Sequence, residues 1–480
     1  MSHRGVGERE FLGRVKAAFL MEKNMTNLEN LNKVEEFALA MAGAGVLGGE
    51  FDKGLKRAPE GAFVPKPKML SRFDRAARED NQWLIDMTTI FADEITRRKI
   101  EMEILVPTTS MEASDLAARS MWLEMKLAEG GAIYGDRPFN FAITDLKLPR
   151  QTVTDIQQAA LTAYSTIKAC LPINAFTTDT ERYIDEQAFA PNGARVDIIL
   201  TEDGPKIIEV NMQWVDGIQA LEGFQMTYLG MPQKTVELLA GTFKGKGRLA
   251  VLDITRGAES RSSGARFELQ SLALNLEGRF SFSEVEIMDP RKVLPDYLRE
   301  FDGIYINGEP RMIPEGIPDW LKVVLERSAR GSTFPLWRPA LDRKRILVEA
   351  SARSKVFVPT IPFTAENFLK AKRDFDFMVV KGDGYSSKCV GVEETPEFEG
   401  IVADAQLFPN EYVIQPRLEP VTLEPMVCLD TSSNRPIYLP QPRSKFNVWI
   451  INGKVAGVLA SVSDRLVISD KDFNVVPKAI

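Results

Sequence analysis

Two short motifs of charged and amide residues face each other across a predicted turn near residue 203. The motifs are Arg195-Val-Asp197 and Glu209-Val-Asn211, and Glu202-Asp203-Gly204 lies between them. A three-residue hairpin loop that ends in a left-handed glycine predicts that Asp197 pairs with Glu209 and Arg195 with Asn211. Because side chains alternate along a strand, these four residues share one face. The predicted core face consists of Val196, Ile198, Leu200, Ile208 and Val210.

Two carboxylates that face each other destabilise a sheet unless a cation or a shared proton compensates. Mg²⁺ is the natural compensation, because it binds carboxylate and amide oxygens and keeps waters or substrate phosphates in its shell. The alternative interpretation is a solvated polar face on which Arg195 neutralises one acid. The hairpin alone leaves both interpretations open.

A glycine- and serine-rich loop follows an apolar strand that ends in Lys381. The loop contains Ser386 and Ser387. Such a loop can direct backbone N–H groups and hydroxyls at phosphates, with the lysine as a point charge. An ordinary turn is the alternative. Upstream, the basic cluster Asp342–Arg345, which includes Lys344, opens a predicted helix that ends before Val358.

The last third of the chain holds two further candidate binding segments. The strand Tyr412–Gln415 breaks at Pro416 and leaves backbone N–H and C=O groups of the kind that can read an adenine edge. Arg417, Leu418 and Glu419 continue this segment. Arg443 and Arg465 are candidates for holding phosphate or carboxylate groups, or alternatively form surface ion pairs.

Composition excludes several classes of function. The 480 residues include 60 Lys and Arg against 67 Asp and Glu, a net charge of −7, which disfavours nucleic-acid and anionic-membrane partners. The uncharged stretch Phe37–Gly49 is shorter than the ~20 residues that a membrane span needs, and the N-terminus has no signal-like apolar region, so we expect a cytoplasmic location. His3 is the only histidine, which excludes a Ser-His-Asp triad and a histidine metal cluster.

Hydrophobic spacing predicts the helices and strands on which these residues lie. Helices are predicted from Ser71 to about residue 95, over Asp115–Glu129 and after Pro149, with a strand over Phe139–Leu148. From residue 246 strands and helices alternate, as in a small three-layer α/β domain. Its predicted elements are strand Arg248–Ile254, helix Arg266–Leu276 and strands Glu284–Met288 and Gly303–Asn307. The predicted later strands are Phe377–Lys381, Tyr412–Gln415, Asn447–Ile451 and Val455–Ser461.

Taken together, these segments resemble the ATP-grasp superfamily over about residues 140–480. The hairpin is similar to the metal-binding strands of D-alanine–D-alanine ligases. The resemblance implies that Asp197, Glu209 and Asn211 hold Mg²⁺ and that Arg195 stabilises the oxyanion. It also implies that Lys344, Lys381, Ser386 and Ser387 bind the phosphates of ATP, Ser386 with a catalytic role. Gln415, Arg417, Leu418 and Glu419 would form the adenine hinge, and Arg443 and Arg465 would bind substrate.

The order of the motifs is similar to the circularly permuted branch that includes eukaryotic glutathione synthetases and glutathionylspermidine synthetases, because the metal hairpin precedes both lysines. The resemblance implies an α/β protein with an ATP-grasp fold in four parts. These are a helical N-terminal region over 1–135, a first ATP-grasp part over 136–245, an inserted α/β substrate domain over 246–335, and a second ATP-grasp part over 336–480.

The resemblance implies an ATP- and Mg²⁺-dependent carboxylate–amine ligase that works through an acylphosphate and releases ADP and phosphate. Its small-molecule carboxylate and amine substrates would be amino acids or short peptides, and its relatives suggest a homodimer. This chain departs from glutathione synthetases of the branch at Gly382, where they have proline, and at Tyr385, where they have a metal-binding glutamate, so Asp383 is the candidate replacement. A phosphotransferase of the same fold and a nucleotide-binding scaffold without catalysis are the alternatives.

Overall fold

The structure is a computed structural model, and it describes most of the chain from residue 94 onward. The described residues are 94–480 apart from 105–111, 135–136, 174–175, 177, 213–214, 216, 231–233, 244, 246, 258–261, 314–315, 383–389 and 470–471. Most of the predicted N-terminal region, including nearly all of the helix expected after Ser71, therefore lies outside the described residues. The proposed domain boundaries stay predictions.

Twelve α-helices lie in the described part of the chain. They are α1 (94–104), α2 (Ala113–Glu129), α3 (Arg150–Ala169), α4 (Asp179–Glu186), α5 (Ile218–Leu229), α6 (Lys234–Ala240), α7 (Ser262–Phe280), α8 (Pro295–Leu298), α9 (Asp319–Ala329), α10 (Ile346–Arg353), α11 (Ala365–Asp374) and α12 (Phe398–Leu407). Helices α2 and α3 confirm two predictions. The buried positions of α3, which include Ile156, Ala160 and Ile167, recur at helical spacing and pack on a sheet.

Twenty strands lie in the same described residues. They are β1 (Ile133–Tyr134), β2 (Arg137–Pro138), β3 (Phe141–Ala142), β4 (Lys147–Leu148), β5 (Gly193–Thr201), β6 (Gly204–Asn211), β7 (Arg248–Asp253), β8 (Glu284–Met288), β9 (Gly303–Asn307), β10 (Thr333–Phe334), β11 (Ile361–Pro362), β12 (Met378–Gly382), β13 (Val390–Val392), β14 (Tyr412–Pro416), β15 (Met426–Asp430), β16 (Arg435–Leu439), β17 (Arg443–Ile451), β18 (Lys454–Ser463), β19 (Phe473–Val475) and β20 (Lys478–Ala479). The protein is thus a mixed α/β protein.

The single strand predicted over Phe139–Leu148 is wrong. Strand β3 joins the eight-stranded sheet through β15 and β19, whereas β4 pairs with β20 in a separate two-stranded sheet. The chain bends between them, where the Asp145 carboxylate accepts a hydrogen bond from Lys478 Nζ at 2.8 Å. A contact with the distant C-terminal segment therefore divides a stretch that is apolar enough to read as one strand.

The large sheet has eight strands in the order β16-β15-β3-β19-β18-β17-β5-β6. All neighbours are antiparallel except β19 and β3, which are parallel. Helix α3 packs on β5, β6 and β17, and Val196, Ile198 and Val448 are buried in the main hydrophobic core. The opposite face of β5, β6 and β17 is therefore available for polar side chains.

A parallel sheet in the order β10-β9-β7-β8 occupies the stretch predicted as a small α/β domain. Successive residues of β7 enter two different cores, because Leu249 and Val251 pack with residues of α7 while Ala250 and Leu252 pack with residues of α9. Helices thus cover both faces, as is usual for parallel strands. The strands β8 and β9 have the predicted bounds, and α7 is longer than the predicted Arg266–Leu276.

A third sheet, here called the cover sheet, is antiparallel with the order β11-β14-β12-β13. Its apolar residues pack with α11 and α12 in a separate core. It adjoins the β5–β6 hairpin through Ile207, whose N–H donates to Val356 O at 2.8 Å and whose carbonyl accepts from Val358 N at 3.0 Å. This junction brings strand β12, which carries Lys381, close to the hairpin.

Candidate functional site

The β5–β6 hairpin has the predicted pairs at its far end but a different turn. Asp197 lies opposite Glu209 and Arg195 opposite Asn211, which confirms the predicted register there. Near the turn, however, Thr201 pairs with Gly204, so the loop has two residues and not three. Gly204 has a φ of 97°, a conformation that glycine adopts without strain.

An irregularity beside Asp197 explains why the far end of the hairpin has the predicted register and the turn end does not. Ile198 pairs with Ile207 and Asp197 with Glu209, so Ile208 is an extra residue on β6, as in a β-bulge. Ile207 is consequently the fully buried core residue, and Ile208 is only half-buried. The prediction that Ile208 belongs to the core face is therefore wrong, because the bulge exchanges the faces of these two residues.

Asp197 is buried between two cations. Lys445 Nζ on β17 donates to Asp197 Oδ2 at 3.1 Å, and Arg195 Nε lies 3.5 Å from Oδ1. Lys445 is itself buried and was not among the predicted site residues. Its alternation with Arg443 along β17 was the available signal, since residues two apart share a face.

Glu209 is paired with the predicted phosphate lysine Lys344. Lys344 Nζ donates to Glu209 Oε1 at 2.6 Å, and both side chains are mostly buried. Helix α10 begins at Ile346, so the prediction that a helix opens at Asp342 is wrong, and Lys344 lies in the turn before it. Asp342 accepts a hydrogen bond from the backbone N–H of Met212, which ties this turn to the end of the hairpin.

A buried ion pair, which the sequence analysis did not predict, anchors the turn that carries Lys344. Arg343 is 2% exposed and its Nη2 donates to Glu181 Oε2 of α4 at 2.7 Å. Arg311, from the segment after β9, lies 3.6 Å from the other Glu181 oxygen. Glu181 therefore connects three segments of the chain next to the site: α4, the turn before α10 and the segment after β9.

Lys381 of β12 completes the site from the cover sheet. Its Nζ donates to the carbonyl oxygen of Ile208, the bulge residue, at 3.1 Å. The structure thus brings together seven side chains, here called the charged cluster: Arg195, Asp197, Glu209, Asn211, Lys344, Lys381 and Lys445. Four cations face two carboxylates, which leaves a surplus of two positive charges.

The electrostatics of the charged cluster follow from its burial and its lysines. Burial alone would raise the pKa of Glu209, but the ammonium groups of Lys344, Lys381 and Lys445 lower it to about 2. Burial lowers the pKa of Lys381 to about 8, with Glu209 acting in the opposite direction. Glu209 is therefore an anion and a weak base at neutral pH, and Lys381 is a readily titrated cation.

The oxygen donors of the charged cluster fit a magnesium ion that is shared with a ligand. Asp197 Oδ1 is buried without a hydrogen-bond partner among the described residues, so this carboxylate has an oxygen left to bind a cation. The unpartnered atom of Asn211 is Nδ2, a hydrogen-bond donor that suits a ligand acceptor and not the metal. Among the described residues no group of three His, Cys, Asp or Glu side chains could hold a metal alone. Mg²⁺ needs only one or two carboxylates when phosphates and waters supply the remaining oxygens.

The predicted adenine hinge lies on β14 and the residues after it. Gln415 is buried, and its Nε2 donates to Thr360 Oγ1 at 3.0 Å. The Arg417 guanidinium stacks 3.9 Å from the centre of the Phe377 ring and pairs with Glu419, while its backbone N–H donates to Phe377 O. Leu418 is half-buried beside them. The polar groups here include a buried amide as well as backbone atoms.

The remaining predicted residues are placed less closely. Arg443 begins β17 on the same face as Lys445, and its guanidinium is 3.9 Å from Glu419. Arg465 is three-quarters exposed and lies 4.0 Å from Asp472. Ser386, Ser387 and Asp383 lie outside the described residues. The substrate roles of the two arginines stay predictions.

No helix in the described residues is both long and apolar enough to cross a membrane.

No family model and no curated protein matches this chain. Two solved structures are similar in fold at low scores. A glutathione synthetase-like effector from Globodera pallida in its apo form has a TM-score of 0.47 and 12% identity over 76% of this chain and 96% of its own. A proposed gamma-glutamylcysteine synthetase from Methylobacillus flagellatus has a TM-score of 0.34 and 13% identity over 69% of this chain and 88% of its own. These similarities are too weak to assign a function.

Proposed function

We propose that the charged cluster binds the phosphates of ATP together with Mg²⁺, and that the protein is an ATP-dependent carboxylate–amine ligase. The observation that carries this proposal is the convergence of four cations on one hairpin. Arg195, Lys344 and Lys445 contact its two carboxylates, and Lys381 bonds to the backbone carbonyl of Ile208 beside Glu209. The proposal includes an ATP-grasp fold in permuted order, because the metal hairpin precedes both phosphate lysines in the chain.

The charge balance supports a polyphosphate ligand. Buried like charges are costly, and the two carboxylates offset only half of the four cations. A triphosphate would take over the lysines, and Asp197 and Glu209 would then be released to bind a cation. Without ligand, the carboxylates therefore neutralise the lysines as the phosphates would, and the lysines neutralise the carboxylates as the metal would. Bound Mg²⁺ would supply Lewis-acid stabilisation of the phosphate charge.

The site favours a carboxylate over a hydroxyl as the group that accepts the phosphate. A hydroxyl acceptor needs a base to remove its proton, whereas a carboxylate at neutral pH needs none. Glu209 is a weak base because the nearby lysines lower its pKa to about 2, and Asp197 is paired with Lys445. Activation of a carboxylate followed by attack of an amine, which the hairpin's resemblance to ligases also favours, agrees with this environment. The preorganised cations would stabilise both steps.

Thermal unfolding with ATP, with and without Mg²⁺, tests the binding step, since a ligand that binds only the folded state raises Tm. We expect wild type to be stabilised by Mg-ATP and the Glu209→Gln variant to lose the Mg²⁺-dependent part. Glu300→Gln is the matched control, because Glu300 is an exposed, arginine-paired glutamate of the loop before β9. An unchanged wild-type Tm at millimolar Mg-ATP would contradict the proposal.

Turnover distinguishes the ligase from its alternatives. Wild type incubated with Mg-ATP and pools of amino acids and short peptides is expected to release ADP only when both a carboxylate and an amine are present. Phosphorylation of an added acceptor without an amine would instead identify a phosphotransferase. Tight Mg-ATP binding with no turnover on any pool would identify a nucleotide-binding scaffold.

A further inference from the structure

A buried hydrogen bond between two side chains joins β14 to the segment that leads into β11. Gln415 is 2% exposed, and its Nε2 donates to Thr360 Oγ1 at 3.0 Å. Gln415 lies opposite Val379 on β12, and Val379 is two residues from Lys381. Because alternate residues share a face, Gln415 is on the face of the cover sheet from which Lys381 reaches the hairpin.

The hydroxyl of Thr360 determines which way the Gln415 amide points. A threonine hydroxyl has one proton, and Thr360 Oγ1 donates it to Val358 O at 2.9 Å. Towards Gln415 the hydroxyl can therefore act only as an acceptor, so the amide must present its NH₂ group to it. The Thr360 backbone is fixed as well, because its N–H donates to Ser351 Oγ at 3.2 Å.

This orientation leaves the Gln415 carbonyl oxygen as a fixed acceptor. Within the described part of the chain Thr360 is the side-chain partner of the Gln415 amide, and Gln415 Oε1 makes no hydrogen bond there. The two residues that follow add no donor, since Pro416 has no N–H and the N–H of Arg417 donates to Phe377 O at 2.9 Å. The side chain of Gln415 thus offers a base that binds beside it an acceptor and not a donor.

We infer that Thr360 is a positioning residue that selects 6-amino purines, because it holds the Gln415 oxygen towards the base. This inference rests on the proposed nucleotide site. A 6-amino group would donate to Gln415 Oε1, whereas the 6-oxo group of hypoxanthine or guanine would place two acceptors against each other. A free amide could rotate by half a turn and accommodate either base, so the selectivity comes from the threonine and not from the glutamine alone.

The test compares the affinities of ATP, ITP and inorganic tripolyphosphate by calorimetry for wild type and Thr360→Val. ITP differs from ATP in the 6-oxo group, and tripolyphosphate reports binding without a base. Wild type is expected to prefer ATP to ITP by about tenfold or more, since an opposed pair of acceptors leaves both unpaired. In Thr360→Val the preference should fall at least about fivefold, while tripolyphosphate affinity stays unchanged.

Two further variants separate orientation from packing. Thr360→Ser keeps the hydroxyl and should keep the wild-type preference. Gln415→Glu combined with Thr360→Val should restore the preference for ATP, because a carboxylate presents an acceptor in either orientation. Equal ATP preference in wild type and Thr360→Val would overturn the inference, and so would a Thr360→Ser variant that behaves like Thr360→Val.

The same measurements distinguish this inference from the proposed function. Wild type that binds tripolyphosphate, ATP and ITP with equal affinity would overturn the role of Thr360 but leave the phosphate site standing. Wild type that binds none of the three would overturn both.

Discussion

Lys381 and Glu209 lie in one charged cluster, and each changes the titration of the other. Burial lowers the pKa of Lys381 to about 8 despite the attraction of Glu209, while three lysines lower the pKa of Glu209 to about 2 despite its burial. At neutral pH both groups are therefore mainly charged. Lys381 is the member whose charge changes under mild conditions, so it should control how anion binding depends on pH.

We predict that nucleotide affinity falls as pH rises through 8. A bound triphosphate favours the protonated form of Lys381. Above pH 8 most of the free protein has a neutral Lys381, which must take up a proton when the nucleotide binds. Kd should therefore rise about tenfold between pH 7 and pH 9. Calorimetry with ATP measures this. Lys381→Arg should remove the pH dependence because arginine stays protonated in this range. A flat wild-type profile would contradict the assignment of Lys381 to the phosphate site.

We also predict that Glu209 contributes to acid sensitivity. Its folded pKa lies below its ordinary value of 4.5, so its stabilising contribution is present above pH 4.5 and is lost as pH falls towards 2. Between pH 5 and pH 3 the Tm of wild type should fall more steeply than that of Glu209→Gln, which has no carboxylate to protonate. Parallel Tm curves for the two proteins would show that the lysines do not stabilise the ionised form.

At the level of secondary-structure elements, the β-bulge decides which face of β6 is core. The bulge places Ile207 in the core and leaves Ile208 half-buried, and the backbone carbonyl of Ile208 accepts a hydrogen bond from Lys381. A regular hairpin with the predicted three-residue loop would bury Ile208 instead. The bulge thus supplies both the Asp197–Glu209 pair and the contact to the cover sheet.

The relative cost of two alanine substitutions tests the bulge. Ile207→Ala should lower the free energy of unfolding by about 2–5 kcal/mol, because it leaves a cavity in the core. Ile208→Ala should cost clearly less, because this side chain keeps contact with solvent. Urea unfolding measures both. The reverse order of the two costs would indicate the regular register.

The glycine at position 382, directly after Lys381, has a steric reason. A Cβ on Gly382 would lie 2.6 Å from the Tyr412 ring of the neighbouring strand β14, and the Tyr412 hydroxyl donates to Asp404 of α12. Side chains at residue 382 are therefore excluded by the packing of the cover sheet.

We predict that Gly382→Ala lowers stability by about 1–3 kcal/mol, because the tyrosine ring must shift within a packed core. Gly400→Ala is a control of opposite sign, since Gly400 lies in α12 with no atom within 4 Å of an added Cβ. Alanine there should stabilise the helix by up to about 1 kcal/mol. Unfolding by urea measures both, and a neutral Gly382→Ala would contradict the close packing.

At the scale of the whole molecule, one buried arginine connects helix α1 to distant parts of the chain by hydrogen bonds. Arg98 is 1% exposed and donates to Ser120 and Glu124 of α2 and to Asn434 Oδ1 of the β15–β16 turn. These contacts span up to 336 residues of sequence. Helix α1 is therefore integrated with the edge of the large sheet.

We predict that Arg98→Met destabilises the protein by about 3–5 kcal/mol, because it leaves Glu124 buried without its cation. Arg97→Met is the control, since Arg97 is 37% exposed and forms local ion pairs with Glu94 and Glu101. Among the described residues its one long-range bond goes to the backbone carbonyl of Asn434 at 2.8 Å, and its loss leaves no buried carboxylate without a cation. This substitution should cost less than about 1 kcal/mol. Equal effects on urea unfolding would mean that α1 is not held by Arg98.

Much of the local structure could be predicted from the sequence. The strands β8 and β9, helix α3 and the Asn452-Gly453 turn, both of whose residues have positive φ, follow from periodicity and turn chemistry. The pairing of Asp197 with Glu209 was also predictable, because a hairpin relates residues that are close in the chain. Such features depend on backbone geometry over a few residues.

Contacts between residues far apart in the chain could not be predicted in this way. The sequence spacing places Lys445 on the same face as Arg443, but its contact with Asp197 exists only because β17 lies beside β5. In the same way, the extra residue in β6 accompanies the pairing of Ile207 with the segment that contains Phe357. The partner of Gln415 was likewise set by the packing of Thr360. Strand neighbours depend on how apolar faces are buried together across the whole chain, and local periodicity does not encode that choice. Residue types and short spacings therefore define the chemistry available to this protein, whereas packing across the whole chain selects the groups that come into contact.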